Sequence, residues 1–176
     1  MSSLYDYIIV GAGSAGCALA ARLAWERPKL RILVLEAGGP DKSFLLKMPA
    51  GFASLGEKSP YNWHYETTPQ KHCNDRRMYW PRGKTLGGSS SINAMLYIRG
   101  HAWDYDHWRQ LGLAGWGWDD VLPTFRKLDG HFLGDTEMHG ASGEWRVEEM
   151  RLKWDVLDAV ARAANEMGVP ARPDFN

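Results

Sequence analysis

The sequence is poor in cysteine and has no excess of charge of either sign. Its 176 residues include two cysteines, Cys17 and Cys73, which are too few for a disulfide framework and show no metal-ligand spacing. Lysine plus arginine and aspartate plus glutamate both total 21, so no basic field indicates a nucleic-acid partner. No apolar run is long enough to span a bilayer. We expect a cytoplasmic protein, and peripheral contact with the inner membrane stays open.

The first forty residues carry the strongest secondary-structure pattern. Tyr5–Val10 is a short apolar, β-branched run that predicts a buried strand. Ala15–Trp25 is rich in alanine and predicts a helix, in which we expect Cys17 to be buried. Arg31–Glu36 predicts a second strand. A strand, helix and strand in this order form a parallel unit and indicate an α/β fold.

A glycine motif joins the first predicted strand to the helix. Gly11, Gly13 and Gly16 are spaced as G-x-G-x-x-G, and Glu36 follows Gly16 by 20 positions at the end of the second strand. In this context the motif predicts dinucleotide binding: Gly11 permits the turn, Gly13 the approach of a pyrophosphate, and Gly16 close helix packing. The Glu36 carboxylate suits ribose hydroxyls and repels a 2′-phosphate. The motif alone leaves FAD and NAD both open.

The rest of the chain has weaker periodicity. Residues 40–90 predict a long, largely irregular excursion. Trp103–Gln110 predicts a short helix, and Asp119 predicts the N-cap of another helix that runs through Leu128 and is stopped by Gly130. One face of an amphipathic helix is formed by Trp154, Leu157, Ala161, Ala164 and Met167. We therefore divide the chain into a βαβ unit (1–39), the excursion with a second glycine motif (40–100) and helical segments (101–176).

The second glycine motif lies in residues 81–93. Gly87-Gly88 is followed by three serines, and Asn93–Gly100 then continues as an apolar stretch that a flexible linker would not need. Paired glycines allow close backbone approach, and the serines add hydroxyl donors. Such a surface suits a pyrophosphate or the polar edge of a flat ring.

These residues resemble a known family. Residues 83–93, together with Tyr97, Gly100 and Asp106, are similar to the first signature of the glucose-methanol-choline (GMC) oxidoreductases. The opening 5–16, the strand end at 35–38 and residues 62–70 are also similar to that family, so the resemblance covers nearly the whole chain. It is nearest to the bacterial alcohol and choline dehydrogenases, particularly the aliphatic alcohol dehydrogenases.

The resemblance implies an incomplete, Rossmann-like FAD-binding domain, with a parallel sheet flanked by helices. Some family members tether the flavin through a histidine just before the motif's asparagine; because Ile92 stands there, we expect non-covalent FAD. Ser14 and Ala15 would meet the pyrophosphate, and Glu36 the adenosine ribose. The implied cofactor-binding residues are Gly11, Gly13, Ser14, Ala15, Gly16, Glu36, Ala37, Trp63, Arg82, Gly87, Gly88, Ser89, Asn93, Ala94 and Leu96.

The family's chemistry is hydride transfer from an alcohol carbon to flavin, assisted by a histidine. We assign no catalytic residue in this chain, because the resemblance places that histidine in a C-terminal portion that the chain lacks. The expected partners are that portion, a small-molecule alcohol and an unknown electron acceptor, either a quinone or oxygen. The alternatives are a lyase or photodecarboxylase on the same fold, or a non-catalytic nucleotide-binding module.

The histidines indicate no further site. His101 and His107 lie near acidic residues, but the family signature explains that segment without a metal, so we expect none. The remaining four show no partner geometry in the sequence: His64, His72, His131 and His139.

Overall fold

The computed structural model describes residues 4–56, 58–151, 153–172 and 174–176. The chain divides into two compact units, of which the first ends at Leu96 and the second runs from Tyr97 to Asn176. The elements mix helices with parallel and antiparallel strand pairs. The expected α/β class is confirmed. The three-part division at residues 39 and 100 stays a prediction.

The first unit opens with the parallel β-α-β unit that the sequence predicts. Strand β1 (Tyr7–Val10) pairs in parallel with β2 (Ile32–Leu35), and helix α1 (Ser14–Glu26) connects them. Helix α1 ends at Glu26, and Arg27 is its non-helical C-cap, because the following proline, Pro28, disfavours helical backbone in the residue before it.

Most apolar side chains of this small sheet remain exposed. Ile9 is buried, but its neighbours Ile8 and Val10 are 59% and 83% exposed. A parallel strand normally has both faces covered, so this sheet presents apolar surface that its own unit does not cover. The expectation that Cys17 is buried is wrong: the residue is exposed, and its thiol donates to the carbonyl oxygen of Ala12 across 3.2 Å.

The excursion after β2 is more ordered than its composition predicts. It contains a one-turn helix, α2 (Phe44–Lys47), a 3₁₀ segment at Pro49–Ser54 and an antiparallel pair of two-residue strands, β3 (Tyr65–Glu66) and β4 (Tyr79–Trp80). Two further 3₁₀ segments lie at Lys71–Cys73 and Gly88–Ser91.

Buried Asn62 holds this excursion together. It is 3% exposed, and its side-chain oxygen accepts from the backbone N–H groups of His64 and Arg82, each across 3.1 Å. Its amide group donates to the carbonyl of Gly56 and to the hydroxyl of Tyr79. One side chain therefore joins segments that lie about twenty residues apart, which the composition of the excursion does not reveal.

Among its described residues, the second unit contains three helices and a short parallel strand pair. The helices are α3 (Ala102–Gln110), α4 (Trp118–Leu128) and α5 (Asp155–Glu166). Strand β5 (Asp129–His131) pairs with β6 (Trp145–Val147). The three predicted helices are present, whereas both strands were missed because each has only three residues.

Helix α4 ends at Leu128, as the sequence predicts, but the predicted N-cap is wrong. Gly117, rather than Asp119, is its N-cap, because the carboxylate of Asp120 accepts from the Gly117 N–H across 3.0 Å and closes the first turn. The role expected for Gly130, stopping the helix, is also wrong: Gly130 lies inside β5 and pairs with Arg146. A Cβ on Gly130 would approach the Gly143 carbonyl oxygen to 2.6 Å, so strand packing accounts for this glycine.

Aromatic side chains pack between α3 and α4. The Tyr105 ring lies 5.5 Å from Trp108, 5.4 Å from Trp118 and 5.8 Å from Phe125, measured between ring centroids. Four of the abundant aromatic residues are thus accounted for by helix packing. Within the described part of the chain, no helix combines the length and the apolar character needed to span a membrane.

Candidate cofactor site

The first glycine motif forms the turn from β1 into α1. Gly11 has a φ of 94°, a left-handed conformation that favours glycine. A Cβ on Gly16 would overlap the carbonyl oxygen of Gly11, so the start of the helix can pack on the turn only without a side chain there. Gly13 is the N-cap and offers no side-chain acceptor. The first N–H groups of α1 therefore have no capping side chain from Gly13 and are available to bind an anion.

The second glycine motif lies directly against the first. The N–H of Gly87 donates to the carbonyl oxygen of Ala12 across 2.8 Å, and Gly87 has a φ of 86°. A Cβ on Gly88 would lie 2.8 Å from the Cα of Gly13, closer than real Cβ atoms approach. Two motifs that lie far apart in the sequence thus form one continuous backbone surface, called the glycine cradle below (residues 11–16 and 83–88).

Gly38 and Gly39, which follow β2, contact the second segment of the glycine cradle. Thr85 is fully buried, and its hydroxyl donates to the carbonyl oxygen of Gly39 across 3.0 Å. The Leu86 N–H donates to the same oxygen at the same distance. A Cβ on Gly38 would overlap the backbone of Lys84. The signature segment is therefore held by close backbone contacts that leave no room for a side chain.

Glu36 reaches from the end of β2 into the first glycine loop. One carboxylate oxygen accepts from the Ala12 N–H and the other from the Gly38 N–H, each across 2.8 Å. The sequence predicts a contact with ribose, and the structure adds a role in holding the loop. Each carboxylate oxygen has a second lone pair, so both can still accept a hydroxyl hydrogen.

The three serines of the second motif bind their own loop. The Ser89 hydroxyl oxygen accepts from the Gly83 N–H across 3.1 Å. Ser90 donates to the Gly87 carbonyl across 2.6 Å, and Ser91 donates to the Leu86 carbonyl across 2.8 Å. Of the three, Ser89 alone keeps its hydroxyl hydrogen for a ligand, because its oxygen acts as the acceptor within the loop.

Two predicted flavin-proximal side chains stack on neighbouring aromatic rings. Trp63 lies parallel to Tyr65 with ring centroids 5.6 Å apart, and the Lys84 ammonium lies 4.7 Å from the Trp63 ring. The Arg82 guanidinium lies 5.3 Å from the Trp80 ring. Both Arg82 and Lys84 belong to the segment that enters the glycine cradle, so positive charge lies next to it in sequence and in space.

The remaining predicted cofactor residues are on the surface. Ala37, Asn93 and Ala94 are exposed, and Leu96 is 85% exposed. The Asn93 side-chain oxygen accepts from the N–H of Met95, which has a φ of 59°. Residues 93–96 thus form a tight, exposed turn after the 3₁₀ segment Gly88–Ser91, and their cofactor roles stay predictions.

A second polar cluster, in the second unit, was missed from the sequence. The sequence indicates no partner for His139, yet its ring nitrogens lie 3.0 Å from Asp129 and 2.7 Å from Asp174. Arg99 also binds Asp129. These residues are far apart along the chain, and no motif connects them. His101, in contrast, accepts from the Trp103 N–H and caps α3.

The geometry of the glycine cradle agrees with comparison to known proteins. Residues 5–176 match the family model described as GMC oxidoreductase. This chain belongs to the GMC oxidoreductase family. The family expected from the two glycine motifs is thus confirmed.

Named relatives cover almost the whole chain. It is 47% identical to an alcohol dehydrogenase [acceptor] of Pseudomonas putida, over 98% of this chain and 31% of the relative. It is 44% identical to the mitochondrial choline dehydrogenase of Homo sapiens, over 98% of this chain and 30% of that protein. The chain therefore spans about a third of the length of the curated relatives it matches.

Solved structures of other GMC-type enzymes share the fold. Pyridoxine 4-oxidase from Mesorbium loti is 40% identical with a TM-score of 0.79, over 94% of this chain and 32% of that one. A formate oxidase is 31% identical with a TM-score of 0.81, over 94% and 31%. These likenesses confirm the incomplete Rossmann-like α/β domain.

Proposed function

We propose that this chain is the FAD-binding part of an enzyme that oxidises a primary alcohol, aliphatic or choline-like, to an aldehyde by hydride transfer to the flavin. The contact between the two glycine motifs carries the proposal, because it places a helix N-terminus and the family signature on one surface without side chains. The alcohol and choline dehydrogenases among the relatives support the choice of substrate class.

The glycine cradle fits the ADP half of FAD. The exposed backbone at Ser14 and Ala15, at the start of α1, would bind the pyrophosphate, and the helix dipole favours its charge. Glu36 would accept from the ribose hydroxyls with the lone pairs that its two backbone contacts leave free. Arg82, Asn93 and Ala94 would lie near the flavin. Bound FAD supplies the hydride acceptor, which no side chain can supply.

FAD would be held without a covalent bond. The residue before Asn93 is Ile92, whose side chain has no nucleophilic atom. Affinity then depends on the backbone surface and on Glu36. We expect denaturation to release the cofactor unchanged.

The alcohol site and the catalytic residues would belong to the portion of the relatives that this chain does not cover. The exposed apolar residues of the parallel sheet, Ile8, Val10 and Leu35, support a partner there, since such strands are normally covered on both faces. The structural likeness to a formate oxidase shows that this fold by itself does not determine the substrate. The electron acceptor, oxygen or a quinone, would be selected in that portion as well.

A pair of glycine variants tests FAD binding by the cradle. A Cβ on Gly13 has no neighbour closer than 3.9 Å, so Gly13→Ala adds one methyl group to the open surface where the pyrophosphate would approach. We expect the affinity for FAD to fall by about tenfold or more, which is the effect of losing one hydrogen bond to a phosphate. The free energy of unfolding should not change. Gly56→Ala is the control, because its Cβ would also meet open space, away from the cradle.

The measurement is a titration with FAD, followed by flavin absorbance and fluorescence and by gel filtration. Binding that Gly13→Ala weakens and Gly56→Ala does not would support the proposal. Equal loss in both variants, or FAD retained after gel filtration by Gly13→Ala as well as by the unaltered chain, would contradict it. Flavin that stays attached after denaturation would contradict the non-covalent part alone.

A further inference from the structure

The first unit contains a cavity that the proposed contacts with the ADP half of FAD do not use. Its volume is about 80 Å³. One wall is the turn formed by α2 and the 3₁₀ segment Pro49–Ser54. The other wall belongs to the end of the family signature and the residues after it: Ser90, Ser91, Asn93 and Met95. This space is called the excursion cavity below.

The first wall of the excursion cavity is apolar. Its two segments pack closely, because a Cβ on Gly51 would overlap the carbonyl oxygen of Leu45. The Gly51 N–H donates to the Met48 carbonyl across 2.8 Å and closes the turn between them. Leu55 is buried and Phe52 is 44% exposed, so this wall extends from the interior to the surface. The apolar side chains that line it are Leu45, Leu46, Met48, Pro49, Phe52 and Leu55.

The second wall is polar but uncharged. The Ser90 and Ser91 hydroxyls donate to the carbonyl oxygens of Gly87 and Leu86. Their hydrogens are used inside the loop, so contact with an alkyl group would leave neither donor without a partner. Asn93 lines the same wall. Because the proposed function places Asn93 near the flavin, a molecule in the excursion cavity would lie near the flavin as well.

The charge around the excursion cavity disfavours a cation. Among the lining residues that the structure describes, Lys47 is the one charged residue and Phe52 the one aromatic residue. Proteins bind quaternary ammonium groups with several aromatic rings around the cation, and carboxylates favour it further. The described lining offers neither arrangement. The Lys47 ammonium would repel choline, whereas an uncharged carbon chain gains from leaving water.

We propose that the excursion cavity receives the carbon tail of an uncharged aliphatic alcohol and thereby selects this class over choline-like cations. The inference rests on the proposed function, in which the reacting end of the alcohol is held in the portion of the relatives that this chain does not cover. The cavity volume equals about three water molecules of ~30 Å³ each, and a methylene group is of similar size. A tail of about three carbons therefore fits.

NMR of the chain with ¹³C-labelled methionine methyl groups tests the proposal by titration with alcohols. Met48 and Met95 line the excursion cavity. Met150 and Met167 lie outside its lining, are 68% and 85% exposed, and report non-specific contact with alcohol. We expect saturable shifts at Met48 and Met95 alone, with an affinity that rises about fourfold for each methylene group from ethanol to 1-butanol. Equal responses of all four methyl groups would overturn the proposal.

Choline chloride, titrated over the same concentrations, tests the selectivity. We expect no shift of Met48 or Met95 in the unaltered chain. Lys47→Glu replaces the repelling charge by an attracting one, so choline should then shift both methyl groups. Choline that binds the unaltered chain as tightly as 1-butanol does, or that has no effect on Lys47→Glu, would show that the assigned class is wrong.

Two phenylalanine variants form a matched pair on the same turn. Phe52→Ala removes a lining side chain and should lower the affinity for 1-butanol by about fourfold or more, as if one methylene group returned to water. Phe44 is 73% exposed and lies outside the lining, so Phe44→Ala should leave that affinity unchanged. The same loss in both variants would contradict binding in the excursion cavity.

FAD is titrated into the same samples, so that failure of this inference and failure of the proposed function can be told apart. Shifts by 1-butanol that persist with FAD bound support the inference. If bound FAD abolishes them, the flavin itself fills the excursion cavity and the inference is wrong. FAD binding without any alcohol shift overturns the inference alone. Alcohol shifts in a chain that binds no FAD contradict the proposed function, and with it the assignment of the bound alcohol as a substrate.

Discussion

The glycine cradle and the polar cluster of Arg99, Asp129, His139 and Asp174, called the His139 cluster below, are built in opposite ways. The cradle is made of backbone: N–H groups, carbonyl oxygens and glycines whose missing Cβ atoms allow residues 11–16 and 83–88 to touch. The cluster is made of side chains contributed by four separate segments. The cradle depends on glycines that lack a Cβ atom, and the cluster depends on the pairing of buried charged side chains. The two regions should therefore respond to different kinds of substitution.

Arg99→Met should give the largest effect, because it leaves the buried Asp129 carboxylate without its guanidinium partner. Breaking a buried ion pair on one side typically costs about 3–5 kcal/mol of unfolding free energy. The measurement is the urea midpoint of the chain with and without the substitution. Arg109→Met is the matched control: its partner is Asp106, the Arg109 side chain is 49% exposed, and we expect a loss below about 1 kcal/mol. Equal losses in the two variants would contradict the buried character of the cluster.

Gly38→Ala should come next, and it tests the cradle. The added Cβ would overlap the Lys84 backbone, so the signature segment must shift, at a cost of about 1–3 kcal/mol together with weakened FAD binding. Its neighbour provides the control, because a Cβ on Gly39 would meet no atom within 4 Å. Thermal unfolding and an FAD titration of both variants give the comparison. If Gly38→Ala changed neither the thermal stability nor the FAD affinity, the prediction that a side chain cannot be accommodated there would be wrong.

Acid pH should give the smallest effect. Burial by itself raises the pKa of Asp174, but the hydrogen bonds from His139 and Asn176 outweigh it and lower the pKa from 3.8 to about 2. The folded-state pKa is depressed, so this contribution is fully present above about pH 4 and is lost as pH falls towards 2. We expect about 1–2 kcal/mol, reduced for partial exposure. Asp174→Asn should remove this part of the pH dependence of stability, and an unchanged acid titration in that variant would contradict the assignment.

Short-range patterns explain which features were predictable. The βαβ unit is contained in about thirty residues, and its apolar runs and glycine spacing are visible one after another. The three predicted helices of the second unit are likewise local. The errors at Asp119 and Gly130 arise where a neighbour along the chain or a strand partner overrides the local preference: Asp120 supplies the capping contact, and β6 takes up Gly130.

The excursion at residues 40–90 shows the limit of composition. Its proline, glycine and serine content predicts irregular chain, yet Asn62 and the β3–β4 pair give it a defined path. Two-residue strands have no periodicity to detect, and a single buried asparagine resembles any polar loop residue. Its order comes from contacts that cross about twenty residues.

By itself the sequence determined the family, the α/β class and the two glycine motifs, because each rests on residues close together in the chain. Tertiary structure alone decided that the two motifs share one surface, that Glu36 holds the first loop, and that His139 lies between two aspartates. Backbone contacts such as Gly87 to Ala12 depend on which residues lack side chains at a meeting point. The pairing of buried charges depends on which segments the fold brings together. Neither kind of contact can be predicted from residues that are close together in the sequence.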